Sequence, residues 1–514
     1  MLAAVKAPVI DWAGLSPLIA LLGGAVLVLV LGLAGFRVVR TQWVPTLTLA
    51  AFGAAIGLLL WQWDSDLSLI EGALRLDRLT ILVTLIVCAT AILATLLAWR
   101  DQAAREIAHG EFFCLLLTAS AGMMVLVAAQ DLLAAFVGLE LLSMPLYVLC
   151  ASRLRAARSL ESGLKYLIVG SVGSATLLYG FALLYGASGT TSYAGIAKAI
   201  ETGGLAGDPL VLTGAALAVV GLAFKASLAP FHQWTPDVYE GAPTPVTAFM
   251  SVATKIAAFG VIVRLFDVAL APAVDDWKPI WIAIAVISIV VGNVGALGQS
   301  SLKRLLAYSS IAQAGYILVG VVVFTDLGVQ AVLLYIVVYL FANIAAFAVV
   351  TLRERETDLG DDIGALRGLG AKRPLMALSM TLAMLSLAGL PATAGFVGKL
   401  RLIEAAADGG LTWLGVMIVI GSMISLAYYL PVAAAMWREE AAATPEPGID
   451  PRTGRPALAG GAPGAAGAAA ADGRGGWEVT LVAFVCGAAS LVFGIVPQPL
   501  FDLVEQAARG LGLS

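Results

Sequence analysis

Histidine is almost missing from this chain: His109 and His232 are the two present in 514 residues, which argues against haem. Cysteine is nearly as scarce. Cys88, Cys114, Cys150 and Cys486 each sit in an apolar run with no C-x-x-C spacing, so neither a disulfide framework nor an iron–sulfur site is encoded. Charged residues make up 12% of the chain and the formal net charge is −4. No basic block and no aromatic-interleaved patch suggests nucleic acid as a partner. There is no G-x-G-x-x-G fingerprint and no soluble segment large enough for a nucleotide domain. No nucleophile–base pair or metal-ligand cluster appears in or near an apolar run, which disfavours a free-standing membrane enzyme. Whatever redox chemistry involves this chain is carried out elsewhere.

What fills the sequence instead is hydrocarbon. The chain is 60% hydrophobic with a mean hydropathy of +0.94, and apolar runs of about 20 residues, enough to cross a roughly 30 Å hydrocarbon core, recur throughout. The fold class is an all-α polytopic membrane protein. Fourteen spans are predicted, at 17–35, 43–61, 79–99, 112–129, 131–152, 161–186, 209–232, 242–266, 277–298, 303–324, 328–352, 374–406, 412–437 and 478–497. The first run follows Lys6 and Asp11 and precedes Arg37 and Arg40, the reverse of a secretory signal, and is expected to be a permanent helix. Loops after odd-numbered spans, counted with the span ends that border them, carry 18 of the 30 Lys and Arg; the termini and remaining loops carry 8 and the spans 4. The positive-inside rule then puts the odd loops in the cytoplasm and both termini on the periplasmic side of a bacterial inner membrane. Residues 441–476, rich in Ala, Gly and Pro, are expected to form a mobile cytoplasmic loop.

Against that background five charged residues stand out: Lys165, Lys225, Lys255 and Lys399 inside spans, and Glu140 at the centre of the fifth. A lysine at mid-bilayer costs roughly 2.5–3.5 kcal/mol, so four would cost on the order of 10 kcal/mol together, comparable to a whole domain's stability. Selection for something other than stability is the simpler account. Burial disfavours the charged form of an amine, and a carboxylate about 4 Å away restores roughly 4 kcal/mol in favour of it. Moving Glu140 towards or away from a lysine would therefore switch that lysine between holding and releasing a proton.

The stretch Gly221–Phe266 concentrates these features, with Lys225, Pro230, His232 and Lys255 close together. Pro230 predicts a helix broken near Ala229, and broken helices persist in lipid only where protein or a wet cavity surrounds them. Ser227-Leu228-Ala229-Pro230 after Lys225 is echoed by Ser386-Leu387-Ala388-Gly389-Leu390-Pro391 before Lys399, five spans later. An odd spacing reverses direction, which predicts two inverted five-helix repeats, spans 4–8 (112–266) and 9–13 (277–437), with discontinuous helices 7 and 12. Residues 1–111 would form peripheral helices, 438–477 the flexible loop and 478–514 the last helix. Bland alternatives exist for each residue. Lys165, four residues into its span, could snorkel to the headgroups; Glu140 could be a fixed ion-pair partner; His232 could cap a half-helix; Asp237 and Glu240 read as solvated or structural.

SLKRLLAYSSIAQAGYILVG at 301–320, FHQWTPDVYEGAPTPVTAFMSVATKIAAF at 231–259 and LAGLPATAGFVGKL at 387–400 resemble the antiporter-like membrane subunits of proton-pumping NADH–quinone oxidoreductase, respiratory complex I, a family that extends to multisubunit cation/proton antiporters. VYEGAPTPVT looks like the N-type branch; sister subunits M and L usually carry an alanine-histidine pair near that point. The resemblance implies an ion pair of Glu140 with Lys165 on the uptake side, Lys225 as central proton carrier, His232 and Lys255 as the link between half-channels, and Lys399 on the release side. It also implies no cofactor in this chain, with FMN, iron–sulfur clusters, NADH and quinone held by other subunits. The neighbours it implies are subunits M, K and J, and the lipid bilayer. The competing readings are an antiporter subunit driven by a sodium or potassium gradient and a non-conducting scaffold.

Overall fold

The computed structural model describes residues 10–34, 36–357, 359–438 and 476–508, and all structural statements concern these. Nearly all of the predicted 441–476 loop lies outside them. The chain begins with α1 (Trp12–Gly32), α2 (Val44–Trp61), the hairpin β1 (Leu67–Leu69) and β2 (Leu74–Leu76), and α3 (Arg78–Ala98). The short α4 (Gln102–Glu106) leads to α5 (His109–Ala128), α6 (Leu132–Cys150), α7 (Ala157–Ser188), α8 (Tyr193–Gly203), α9 (Pro209–Lys225), α10 (Trp234–Gly241) and α11 (Thr244–Arg264). Then come α12 (Val274–Ala296), α13 (Leu302–Val322), α14 (Asp326–Glu356), the short α15 (Leu369–Lys372), α16 (Pro374–Ala388), α17 (Ala394–Asp408) and α18 (Thr412–Trp437). Helices α19 (Trp477–Ile495) and α20 (Gln498–Ala508) follow.

Twelve of these helical stretches are long and apolar enough to cross a membrane. Two further apolar helices are shorter, Pro209–Lys225 and Pro374–Ala388, and they open the predicted spans seven and twelve. The ends of the bundle differ in chemistry. Asp11, Asp77, Asp131 and Asp208 cap α1, α3, α6 and α9 at one end, each side chain accepting from the first-turn N–H groups. The other end is basic and tied by ion pairs of Arg153 and Lys303 with Glu354, of Arg153 and Arg355 with Asp101, and of Arg100 with Glu478.

Burial identifies the central helices. The span Thr244–Ala269 is wholly buried and those of α13 and α14 are 94% buried, against 28% for α1. A helix apolar on all faces is stable only when neighbours or lipid surround it. Here α11, α13 and α14 have protein on every side, while α1, α2 and α7 turn apolar faces outward.

Both short helices stop in the same way, and earlier than proline alone predicts. At α9, Ser227 takes the left-handed conformation (φ 62), its N–H donates to the Phe224 carbonyl, and the Leu228 N–H donates to Ala223. At α16, Gly389 (φ 84) does the same, with Gly389 donating to Ser386 and Leu390 to Leu385. These are Schellman caps, which satisfy the terminal carbonyls and turn the chain aside. Proline follows each cap and prevents the helix from resuming. The break predicted near Ala229 thus begins at Ala226, because the cap rather than Pro230 ends the helix. Its freed Ala229 N–H donates to Ser288 Oγ of α12 at 2.9 Å.

Candidate functional site

Lys225 is the last residue of α9 and only 2% exposed. Its Nζ donates to Ser143 Oγ of α6 at 2.8 Å and to Tyr166 OH of α7 at 3.2 Å. The Ser143 hydroxyl donates onward to the Leu139 carbonyl, leaving its lone pairs for the lysine. Glu140 lies one turn before Ser143 on the same helix, its Oε1 buried without a hydrogen-bond partner and the carboxylate within Coulombic reach of Lys225. Trp234, the first residue of α10, stacks on Tyr166 with centroids 4.6 Å apart and donates from Nε1 to the Phe224 carbonyl at 3.1 Å. The second half-helix thereby caps the first and fixes the ring that receives the lysine.

Lys255, 1% exposed on α11, donates to both the carbonyl and the hydroxyl of Ser310 on α13. Tyr339 of α14 donates to the same hydroxyl at 3.0 Å. Lys399, 4% exposed on α17, reaches back across the second break to the Leu387 and Ala388 carbonyls at 2.9 and 3.0 Å, with its Nζ 5.0 Å from the Tyr316 ring centroid. These carbonyls are the C-terminal end of α16, where the helix dipole is negative and a cation is favoured.

Helix α13 joins these two lysines. Ser310 holds Lys255; beside it Ser309 bonds the Tyr429 hydroxyl, and Gln313 Nε2 donates both to Tyr429 OH at 3.3 Å and to the Leu387 carbonyl at 3.1 Å. Tyr335 donates to Gln313 Oε1. Between Lys255 and Lys399, Ser309, Ser310 and Gln313 of α13 thus present hydroxyls and an amide, with the Tyr429 hydroxyl of α18 and the shared Leu387 carbonyl of α16 completing the polar stretch.

The other predicted residues fall differently. Lys165 does not pair with Glu140. It bonds Asp237 of α10 and Glu161 of its own helix, each at 2.8 Å, with its side chain 44% exposed. Arg304 bonds Asp237 at 2.8 Å and Glu240 at 3.1 Å, so all of these belong to the basic end. The length of α7 allows this: its 32 residues rise about 48 Å, far more than a roughly 30 Å hydrocarbon core, so a helix of this length tilts or extends past the core, and Lys165 sits in its third turn at the basic end. The Lys165 contacts exclude the Glu140 pair and are compatible with the snorkelling alternative. A cavity of about 170 Å³ opens there, lined by Glu161, Lys165, Asp237 and Glu240 among others. His232 lies half-buried in the first break with its Nδ1 unpartnered, and no hydrogen bond among the described residues joins it to Lys225 or Lys255.

Sequence reasoning missed the hydroxyl and amide partners Ser143, Tyr166, Ser310, Gln313 and Tyr339. A signal existed for two of them: the polar stripe of YSSIAQAGY (308–316) inside an otherwise apolar span. It also missed Arg264, fully buried at the end of α11, which bonds Asp77, Thr80 and the Val127 carbonyl and so locks the Lys255 helix to α3 and α5. A buried pair of this kind is costly to break from one side. Asp267, just beyond, is buried with both carboxylate oxygens unpartnered.

Discontinuous helices that place lysines deep in a many-span bundle, two of them beside the polar stripe of α13, define an antiporter-like membrane protein. The family model for NADH:quinone oxidoreductase/Mrp antiporter transmembrane subunits matches residues 129–425, and the chain belongs to that family. It is 39% identical over 460 residues to NADH-quinone oxidoreductase subunit N of Trichlorobacter lovleyi, covering 90% of this chain and 88% of the relative. Subunit N of Mycobacterium tuberculosis is 41% identical over 404 residues, 78% of this chain and 71% of that one. Among solved structures, a chain of respiratory complex I from Thermus thermophilus with bound aureothin is 32% identical with a TM-score of 0.73, over 95% of this chain and 98% of that one. A chain of the Mrp complex from Dietzia is 26% identical with a TM-score of 0.80, over 97% of each.

Proposed function

We propose that this chain is the N-type antiporter-like subunit of a bacterial NADH–quinone oxidoreductase and moves protons outward across the membrane, driven by quinone reduction elsewhere in the complex. The observation that carries the reading is the pair of buried polar sets that meet at neighbouring residues of α13: Lys255 on Ser310, and Ser309 with Tyr429, Gln313 and the Leu387 carbonyl that holds Lys399. A scaffold has no use for such sets, since three buried ammonium groups cost several kcal/mol that leucine would not. Lys225 is the central carrier. Its hydroxyl partners accept hydrogen bonds in the charged state, and Glu140, one turn from Ser143, biases whether the proton stays. Lys165, with Asp237 and Glu161 around the cavity at the basic end, gathers protons at the mouth, and His232 serves the break between half-channels.

The basic end faces the cytoplasm and both termini face the periplasm. The two broken helices run in opposite directions, which supports two five-helix units related by inverted topology. FMN, iron–sulfur clusters, NADH and quinone belong to other subunits, and the neighbours in the arm are subunits such as M, K and J. The test is proton translocation per electron pair by the intact complex in sealed vesicles. Lys225→Ala is expected to lower that ratio while assembly persists. An unchanged ratio would remove Lys225 from the central role, and unchanged turnover on neutral replacement of Lys225, Lys255 and Glu140 together would leave a scaffold. Purification of the chain with cation-antiporter subunits and no flavin-bearing arm would favour the gradient-driven alternative.

A further inference from the structure

A second cluster of charge lies away from the lysine line, where α1 ends, α3 ends and α5 begins. These ends enclose a cavity of about 490 Å³ at the basic face, lined by Arg37, Arg40, Arg100 and Arg105 with Trp99 and His109, and no carboxylate lines it. Arg100 is neutralised by Glu478 at 2.9 Å. Arg40 spends its Nε on the Ala34 carbonyl at 2.9 Å and has no acidic partner among the described residues. The Arg37 and Arg105 guanidinium groups make no hydrogen bond or ion pair among the described residues. Three guanidinium groups without an acidic partner among the described residues thus face one cavity, Arg37 and Arg105 exposed and Arg40 half-buried, and the planar fork of arginine matches phosphate oxygens in pairs.

The surroundings say what carries the phosphate. Leu33, Phe36, Val38 and Trp43, next to the cavity in sequence, are 68, 74, 62 and 58% exposed. Such side chains belong against lipid tails, and tryptophans such as Trp43 and Trp99 at helix ends favour the headgroup level. Beside the cavity these side chains would give acyl chains an apolar wall to follow. The cavity is also several times larger than a bare phosphate ion needs.

We infer that this cavity binds the phosphodiester headgroup of an anionic phospholipid, fastening the peripheral helices α1–α3 to α5. Basic pockets between transmembrane helices on the cytoplasmic side recognise anionic lipid in this way. Wild-type complex, stripped of lipid in detergent, is titrated with photoreactive phosphatidylglycerol or phosphatidylcholine, and the cross-links are mapped by mass spectrometry. Phosphatidylglycerol is expected to label residues 36–43 and 99–109. The paired substitution Arg37→Gln with Arg105→Gln should weaken that labelling roughly thirtyfold, about fivefold per guanidinium, whereas Arg37→Lys with Arg105→Lys should keep most of it. Phosphatidylcholine labelling should be weak and the same in all three. Equal labelling of wild type and the Gln pair overturns the inference. So does displacement of the lipid by millimolar inorganic phosphate, which would mark a free-anion site, or protection of these segments by an acidic stretch of a neighbouring subunit in the lipid-stripped complex.

Discussion

The two broken helices use one device and put it to two ends. Each stops at a left-handed cap followed by proline, Ser227 then Pro230 in the first and Gly389 then Pro391 in the second. Lys225 comes before its break and points sideways, to hydroxyls on α6 and α7, with Glu140 on α6. Lys399 comes after its break and points back, to the carbonyl end of the half-helix that precedes it. The first lysine thus depends on other helices, one of which carries a carboxylate, and a small shift of α6 changes its surroundings. The second is held by its own broken span, whose carbonyls are fixed in place. In the relay proposed above, the pair would serve as one adjustable station and one resting station.

The sharpest way to break this contrast is through the glycine that closes the second gap. A Cβ on Gly395 would lie 1.8 Å from the Ser386 carbonyl oxygen, and that oxygen is backbone and has no room to yield. Gly395→Ala should cost about 3 kcal/mol or more, the upper range for overpacking, and the expected outcome is loss of the chain from assembled complex, measured by the amount recovered after membrane extraction. Recovery at the wild-type level would mean the two half-helices are not packed as described.

Glu140→Gln tests the other side. It removes the carboxylate from the first station alone and keeps its shape. A nearby carboxylate moves a partner's proton affinity by one to three pKa units, so pumping-coupled quinone reduction should fall roughly tenfold or more. The carbonyl cradle of Lys399 has no carboxylate to lose, and assembly should be normal. An unaltered rate would leave Lys225 without its switch and make the two stations equivalent.

Much of this contrast was legible in sequence and some was not, for separable reasons. Apolar runs gave the spans because lipid demands length and composition and little else. The second break was read from Pro391, and Gly389 two residues earlier was an available sign of the left-handed cap that ends α16. In the first, Pro230 was visible but the stop at Lys225 was not, because serine at 227 carries no left-handed signature. The lysines announced themselves by cost. Their partners did not, because Ser143, Tyr166 and Ser310 are ordinary residues on other helices that only packing brings within hydrogen-bond reach. The pairing of Lys165 with Glu140 was not legible either way, because residue count from a predicted span start says nothing of which end of a 32-residue helix packs beside α10, where Asp237 takes the lysine.

The smallest expected effect exchanges the caps. A residue with a Cβ in the left-handed region costs roughly 1–2 kcal/mol, and glycine's extra freedom in the unfolded chain gives back about 0.5–1 kcal/mol. Ser227→Gly should therefore leave stability unchanged or raise it by up to about 1.5 kcal/mol. Gly389→Ser pays the same backbone cost in reverse, and its Cβ would also lie 2.8 Å from Lys399 Cδ and 3.2 Å from Nζ, pushing the lysine off the two carbonyls. Residual quinone reduction after graded heating of the purified complex separates them: the first variant should match or exceed wild type, and the second should inactivate at lower temperature with weakened pumping. If both lost the same stability, the left-handed serine would be serving the first break in a way glycine cannot, and the two caps would not be interchangeable parts of one design.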